Sequence, residues 1–509
     1  MLACIKSVAC VGLESYLVEV EVDVAEKGFP GFNIVGLPDK SVAEAKERVR
    51  TALNNCGFGF PQKKITVNLA PADIPKEGAA YDLPIALGIL IAGGNLEVAK
   101  EELENIYFGE LSLDGTLRHT KGVLLVALFA KDKEVKKVYV PVLSANEAAV
   151  VKGVGVVPVR NLKELVGHLL NLKLIEPLKE INVEALVEGA ECEFDMSEIV
   201  GQEMAKRALM IAAAGGHNIL MSGPPGSGKT MISRALPGIL PTLTPEESLS
   251  VTKIYSASGQ LQPGEAIIRR RPFRSPHHSM SLASLVGGGS HPVPGEISLA
   301  HLGVLFLDEM AEFPRSILEA MRQPMEDGKV EISRVLGKVE YPASFQLVAA
   351  VNPCPCGYLG HPTHECKCTV RDIEKYKRRI SGPILDRIDM HINVPAVEME
   401  KIIENKSGGE SSASIRDKVM KVREIQNKRY LRSGIFCNAR MKNKQVKEFC
   451  NLDIEGERLM KLSMEKFDLS ARAYFRVLKV ARTIADLDES ASILVSHLAE
   501  ALQYRERVF

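Results

Sequence analysis

The chain has 509 residues, 46% of them hydrophobic and 25% charged, an ordinary soluble-globular composition too long for one core, so about two to four domains are expected. Its 64 Lys and Arg balance 64 Asp and Glu, which excludes a global basic field for nucleic acid while leaving room for a local patch. The longest apolar run, "LPIALGILIAGG" from Leu83, is shorter than the roughly 18 residues a membrane span requires, and the N-terminus lacks signal-peptide architecture, so a cytoplasmic protein without a membrane partner is expected.

Residues 1–170 mix β-rich runs ("YLVEVEVDV", "KKITVNLA", "KKVYVPV") with helical patterns ("SVAEAKERVRTALNNC"), which predicts an α/β or α+β domain. The charged, irregular stretch 171–196 reads as a linker. From 197 to 398 strands and helices alternate around Gly-rich loops, the pattern of a parallel sheet. The polar run "NKSGGESSAS", 405 to 414, reads as a flexible break, and 399–509 then carries Arg- and Lys-rich helical periodicity.

Within the third segment, "HNILMSGPPGSGKTMISRAL" contains Gly223, Pro224, Pro225, Gly226, Ser227, Gly228, Lys229 and Thr230, a complete GxxxxGK[ST] pattern with an apolar strand before it and a helix after it. Glycines let backbone N–H groups curl around phosphates, and the helix N-terminus favours their charge. Lys229 is expected on the β- and γ-phosphates of ATP, and Thr230 on Mg²⁺. A second apolar strand, "GVLFLDE", ends in Asp308 and Glu309, at the strand edge where open α/β sheets bind ligands. Asp308 is expected in the Mg²⁺ shell and Glu309 beside the attacking water. A third, "FQLVAAVN", ends at Asn352, an amide suited to orient that water or touch the γ-phosphate; a turn-forming role before Pro353 is compatible with this.

Arg269, Arg270, Arg271 and Arg274, with His277 and His278, form a local basic cluster, and Gly287 to Gly289 imply a mobile loop. "MEDGKVEISRVLGKVEYPASF" reads as a β-hairpin. Directly after Asn352, "NPCPCGYLGHPTHECKCTV" places Cys354, Cys356, Cys366 and Cys368 within fifteen residues. In a reducing compartment this spacing suits one tetrahedral structural Zn²⁺ site, with His361 and His364 as alternative ligands and disulfides or free thiols as the competing readings.

The order of these parts, together with "SEIVGQEMAKRALMIAAAGG", "RRISGPILDRIDMHI" and "LSARAYFRVLKVARTIADL", resembles the magnesium-chelatase-like AAA+ ATPases, and within them the bacterial ComM/YifB family, along essentially the whole chain. The resemblance implies an AAA+ P-loop core with a helix-2 insert and a pre-sensor hairpin, and a helical C-terminal lid. It also implies that Val200, Gly201 and Gln202 line the adenine pocket and that Asn352 is sensor 1. Arg387 would be the finger reaching a neighbouring subunit, and Arg472 the sensor-2 arginine, with Arg476 one turn away as the competitor. A homo-oligomeric, hexameric ring that migrates DNA branches in recombination or natural transformation follows from the family. A chelatase motor for porphyrin and a protein-remodelling ATPase remain the alternatives. In the first domain, "APADIPKEGAAYDLPIALGIL" and "GELSLDGTLRHTKGVLLVALFAK" resemble the Lon protease fold, with Ala80 where that family has its serine and Leu124 where it has its lysine. A domain so composed has no nucleophile to activate and is not expected to be a protease.

Overall fold

A computed structural model describes residues 2–26, 29–188, 193–289, 292–334, 337–361, 364–396, 409–431, 433–467 and 469–505. Leu2–Val11 and Glu14–Val24 form a full-length antiparallel pair, joined at Gly12 and running in register from Leu2 opposite Asp23 to Val11 opposite Glu14, with burial alternating along Leu2–Ile5 and Val18–Val24. They centre a mixed seven-stranded sheet in the order Gly31–Val35, Lys64–Ala70, Glu14–Val24, Leu2–Val11, Ile106–Tyr107, Lys137–Pro141, Gly155–Val159. The apolar run from Leu83 belongs to helix Asp82–Ala92, which is buried on nearly every side, and this explains its lack of an amphipathic pattern. Among the described residues no helix is long and apolar enough to cross a membrane.

Ala80 and Leu124 pack in one hydrophobic cluster with Val8 and Val123, while Lys121 is exposed. The stretch expected as a linker is docked rather than free. The Leu178 N–H donates to Val156 O and the Ile181 N–H to Ala149 O, and Val183 and Leu186 of helix Val183–Glu188 pack on the same cluster. Its apolar residues are spaced too sparsely to stand out among the charges, yet Ile175, Leu178, Ile181, Val183 and Leu186 pack on the first domain, while Leu172 and Leu174 stay exposed.

Glu147 of this domain is 1% exposed, and its Oε2 has no hydrogen-bond partner among the described residues. Burial pushes its carboxyl up to about 7 from an ordinary value of 4.5. The folded state thus keeps a proton that the unfolded chain releases, so this contribution to stability is full below about pH 4.5 and lost as the pH climbs through about 7. Glu147→Gln is expected to match wild type at pH 4.5 and to exceed it at pH 8 by on the order of 3 kcal/mol. Urea midpoints at the two pH values check this, and parallel shifts at both would contradict it.

The second domain holds five parallel strands in the order Phe273–Arg274, Val304–Leu307, Gln346–Val351, Ile219–Ser222, Met390–Asn393. Three of them, "VLFL", "QLVAAV" and "ILMS", are buried at every position, as strands covered on both faces must be. The helices are set by local signals. Pro245–Ser258 begins at Thr244, which forms a capping box with Glu247, has Pro245 at its first turn, and stops at Gly259 with φ +71°. The expected hairpin is Lys329–Arg334 paired with Gly337–Pro342.

The expected mobile loop is corrected. Gly287 and Gly288 are buried and pair with Val293–Pro294 in a short ribbon. Gly287 has φ +101°, and a Cβ there would lie 2.5 Å from Val293 O. Close backbone approach is what Gly287 serves.

Helices Ser412–Arg429, Ile454–Phe467, Ala471–Leu487 and Val495–Gln503 form the lid. Val419, Val422, Val477 and Ala481 share a single core with Ala212, Ile219, Val348 and Met390 of the sheet domain. Of the expected flexible break, the domain boundary at 398/399 and the residues up to 408 lie outside the described residues, while Ser411 already caps the first lid helix through the Ser414 N–H.

Candidate nucleotide site and the core–lid seam

The buried strand Ile219–Ser222 delivers the chain to the glycine loop, and helix Lys229–Ile239 leaves from it. Gly226 and Gly228 take φ of +76° and +87° with open space where a Cβ would stand, so conformation alone demands glycine there. Gly223 is different, since a Cβ would lie 2.1 Å from Val394 O. Lys229 is folded into the loop, donating to Gly223 O (2.7 Å), Pro224 O (2.8 Å) and Asn352 Oδ1 (3.4 Å). Burial lowers its pKa against the opposing charges of Asp308 and Glu309.

Thr230 Oγ1 donates to Asp308 Oδ2 at 3.0 Å, which puts the two candidate Mg²⁺ ligands side by side. Asp308 follows its strand directly, and its Oδ1 accepts the Glu309 N–H at 3.0 Å. Glu309 is exposed and held at φ 49°, a conformation costly for a non-glycine residue and concentrated at working sites. Gln202 also adopts a left-handed φ, 57°, and its Nε2 donates to Pro395 O (2.7 Å) and Ser227 O (3.4 Å), which brings Val200, Gly201 and Gln202 alongside the loop. One sheet edge therefore gathers a lysine, a hydroxyl, two carboxylates and two amides around a nest of backbone N–H groups. That donor set fits a magnesium-bound nucleoside triphosphate.

The cysteines stand against this loop. A Cβ on Gly357 would meet Pro225 Cδ at 2.6 Å. The four sulfurs of Cys354, Cys356, Cys366 and Cys368 lie within 4.8 Å of one another, with Cys354–Cys356 at 3.4 Å and Cys354–Cys366 and Cys356–Cys366 at 3.6 Å. None of the four is in a disulfide. A Zn–S bond of about 2.3 Å sets tetrahedral sulfur edges of about 3.8 Å, so the set fits one ion. His361 and His364 pack at tilted and edge-on angles against each other and Tyr358, outside the set. The Tyr358 N–H leads the influences that lower the Cys356 pKa, while the neighbouring thiols push those of Cys366 and Cys368 up, as sulfurs this close compete to ionise.

The two candidate arginines are not at that edge. Arg387 is 6% exposed, with Nη2 on Glu326 Oε1 at 2.6 Å, Nη1 donating to Pro383 O at 2.8 Å, and Nε without a partner among the described residues. Arg472 is exposed at the start of helix Ala471–Leu487 and close enough to help lower the Arg387 pKa, after burial and the Arg322 charge. Arg476, its competitor, is ion-paired to Asp389. Glu326 and Asp389 are the residues the sequence did not single out. "LDRID" does place Asp389 two residues past Arg387, but nothing in that spacing says that it faces the lid.

The basic cluster is dispersed. Arg274 Nε and Nη2 pair with Glu296 at 2.6 and 2.7 Å. Arg271 donates to Pro241 O (2.5 Å), Leu302 O (2.8 Å) and Glu247 (2.8 Å). Arg269 and Arg270 precede the strand at Phe273, which puts them at the sheet edge opposite the acids that follow Leu307.

Residues 195–402 match the family model described as magnesium chelatase, subunit ChlI; residues 20–144 match that of subunit ChlI of Mg-chelatase; and 409–505 match the subunit ChlI C-terminal model. The chain is 45% identical to the competence protein ComM of Haemophilus influenzae, covering 100% of this chain and 98% of that one. It is 43% identical to YifB of Escherichia coli, an uncharacterized protein, over 98% and 96%. The magnesium-chelatase 67 kDa subunit of Chlorobaculum parvum is 30% identical over 31% of this chain and 23% of its own.

Proposed function

The chain belongs to the ComM/YifB family of magnesium-chelatase-like AAA+ proteins, and from that premise we propose that it is an ATP-hydrolysing ring motor, hexameric in its working form, that migrates branched DNA in the cytoplasm during recombination or natural transformation. The observation that carries the ATPase half is the sheet edge where Lys229, Thr230, Asp308, Glu309 and Asn352 meet. The DNA half is supported by full-length similarity to a protein named for competence. In this reading Lys229 holds the β- and γ-phosphates, Thr230 and Asp308 hold Mg²⁺, and Glu309 polarises water aligned by Asn352. Val200, Gly201 and Gln202 border the base. Arg387 is released from Glu326 to serve a neighbouring subunit's γ-phosphate, and Arg472 approaches from the lid. The first domain, Lon-like without the Ser–Lys dyad, serves as a scaffold or a DNA-contacting module. ATP turnover should rise several-fold on adding a four-way DNA junction. Turnover indifferent to every DNA form would overturn the DNA half.

The chelatase reading draws on the match to the chelatase subunit, which spans 31% of the chain. The similarity to ComM runs through all three segments and favours the motor.

The cysteine set is proposed to hold one structural Zn²⁺ that braces the loop behind Pro225. Purified protein is then expected to carry about one zinc per chain. Cys366→Ser should lose the metal and melt several degrees lower. Below about 0.2 zinc per chain in protein never exposed to chelator, the reading fails.

A further inference from the structure

A second cavity, 430 Å³ in volume, opens on the opposite side of the core from the glycine loop. The helix leaving a parallel strand runs back along the sheet, so its end at Pro237 to Leu240 reaches the N-terminal strand edges, and that end forms the cavity floor. Five arginines line this space (Arg234, Arg269, Arg270, Arg271 and Arg416), and Glu193 is the one acid among the lining residues.

Their local partners divide the arginines. Arg271 is committed to backbone carbonyls and Glu247, and so shapes the wall. The Arg234 guanidinium lies 5.5 Å from the ring centre of Phe194, which also lines the cavity. Arg234, Arg269 and Arg270 are exposed and make no ion pair with any described residue. Solvated surface arginines are commonplace, but these converge on one concavity of a size that suits a nucleotide. Like charges that outnumber the acids around them repel one another, and an anion between them relieves that repulsion. A planar guanidinium fork matches phosphate, and a neighbouring aromatic face suits a base.

We propose that this cavity is a second phosphate-binding site, separate from the glycine loop, taking either the phosphates of a free nucleotide or the phosphodiester of single-stranded nucleic acid on Arg234, Arg269 and Arg270. It does not rest on the motor's substrate being branched DNA. Bound there, the ligand would touch the end of the phosphate-loop helix and Arg416 of the first lid helix at once.

The test uses full-length protein in a Lys229→Ala background, which disables the first site, with and without Arg269→Ala/Arg270→Ala. One arm titrates a fluorescein-labelled 20-mer of oligodeoxythymidylate by anisotropy at several salt concentrations. The other titrates ADP by calorimetry. A single-strand ligand should bind the double variant at least about tenfold more weakly, with the slope of log affinity against log salt reduced by about 1.4, or about 0.7 for each lost phosphate contact. A free-nucleotide ligand should leave the oligonucleotide arm unchanged and lose the ADP heat. Unaltered melting of the double variant excludes misfolding. Equal binding of both probes by the two proteins overturns the proposal, as does absence of binding to the parent. So does a change confined to oligomeric state in sedimentation, which would assign the arginines to a subunit contact. DNA-stimulated turnover in wild type beside equal probe binding would fail this site alone and leave the motor standing.

Discussion

Glu309→Gln is expected to bind ATP nearly as well as wild type and to hydrolyse it about 10²–10³-fold more slowly, the usual cost of losing one group that acts on developing charge. The exposed Glu309 carboxylate is set by its left-handed backbone beside Asp308, whose other oxygen meets Thr230. The amide keeps the shape and removes the charge that polarises water. Lys229→Ala should differ in kind, because the ammonium sits inside the loop on Gly223 O and Pro224 O, where phosphates would be gripped. Binding should weaken along with turnover. Fluorescent-nucleotide titration and phosphate release separate the two patterns, and a Glu309→Gln protein with wild-type turnover would remove Glu309 from the chemistry.

The largest expected effect on stability is at Asp389. This buried carboxylate pairs with Arg476 of the lid, accepts the Asn218 N–H at 2.9 Å, and lies 3.7 Å from His217 Nδ1. Burial opposes its ionisation, but the Arg476 guanidinium, followed by His217 and the Asn218 N–H, holds it well below the usual carboxylate range. A depressed pKa means the contribution is complete above about pH 4 and is lost only as the pH falls through the lower folded value. Asp389→Ala strands Arg476 and should cost about 3–5 kcal/mol. Arg476→Ala should also destabilise. Arg472→Ala, exposed and without an ion pair among the described residues, should melt like wild type while losing turnover. Thermal melts beside phosphate release check the split. Equal melting of all three variants would leave the seam without its proposed role, and full turnover in Arg472→Ala would take that residue out of the site.

The parallel sheet and the loop edge were legible in the sequence because they are local. A strand, a glycine loop and a helix occupy consecutive residues, and "GVLFLDE" and "LVAAVN" each end at the residue that matters. The charged partners were not legible because they are distant. Arg274 meets Glu296 across 22 residues, Arg271 meets Glu247 across 24 and Arg476 meets Asp389 across 87. A run of arginines read by itself therefore suggested one patch, where ion pairs commit Arg271 and Arg274 and leave Arg269 and Arg270. Gly287 misled for a related reason, since its crowding comes from Val293 across the ribbon. The four cysteines were visible as a set, but their contact with Pro225 through Gly357 required the fold.

One measurement addresses the whole reading: strand exchange on a synthetic four-way DNA junction with ATP and Mg²⁺, wild type beside Lys229→Ala. An ATP-driven motor predicts labelled product from wild type and none from the variant. No product from wild type, or equal product from both, would contradict it.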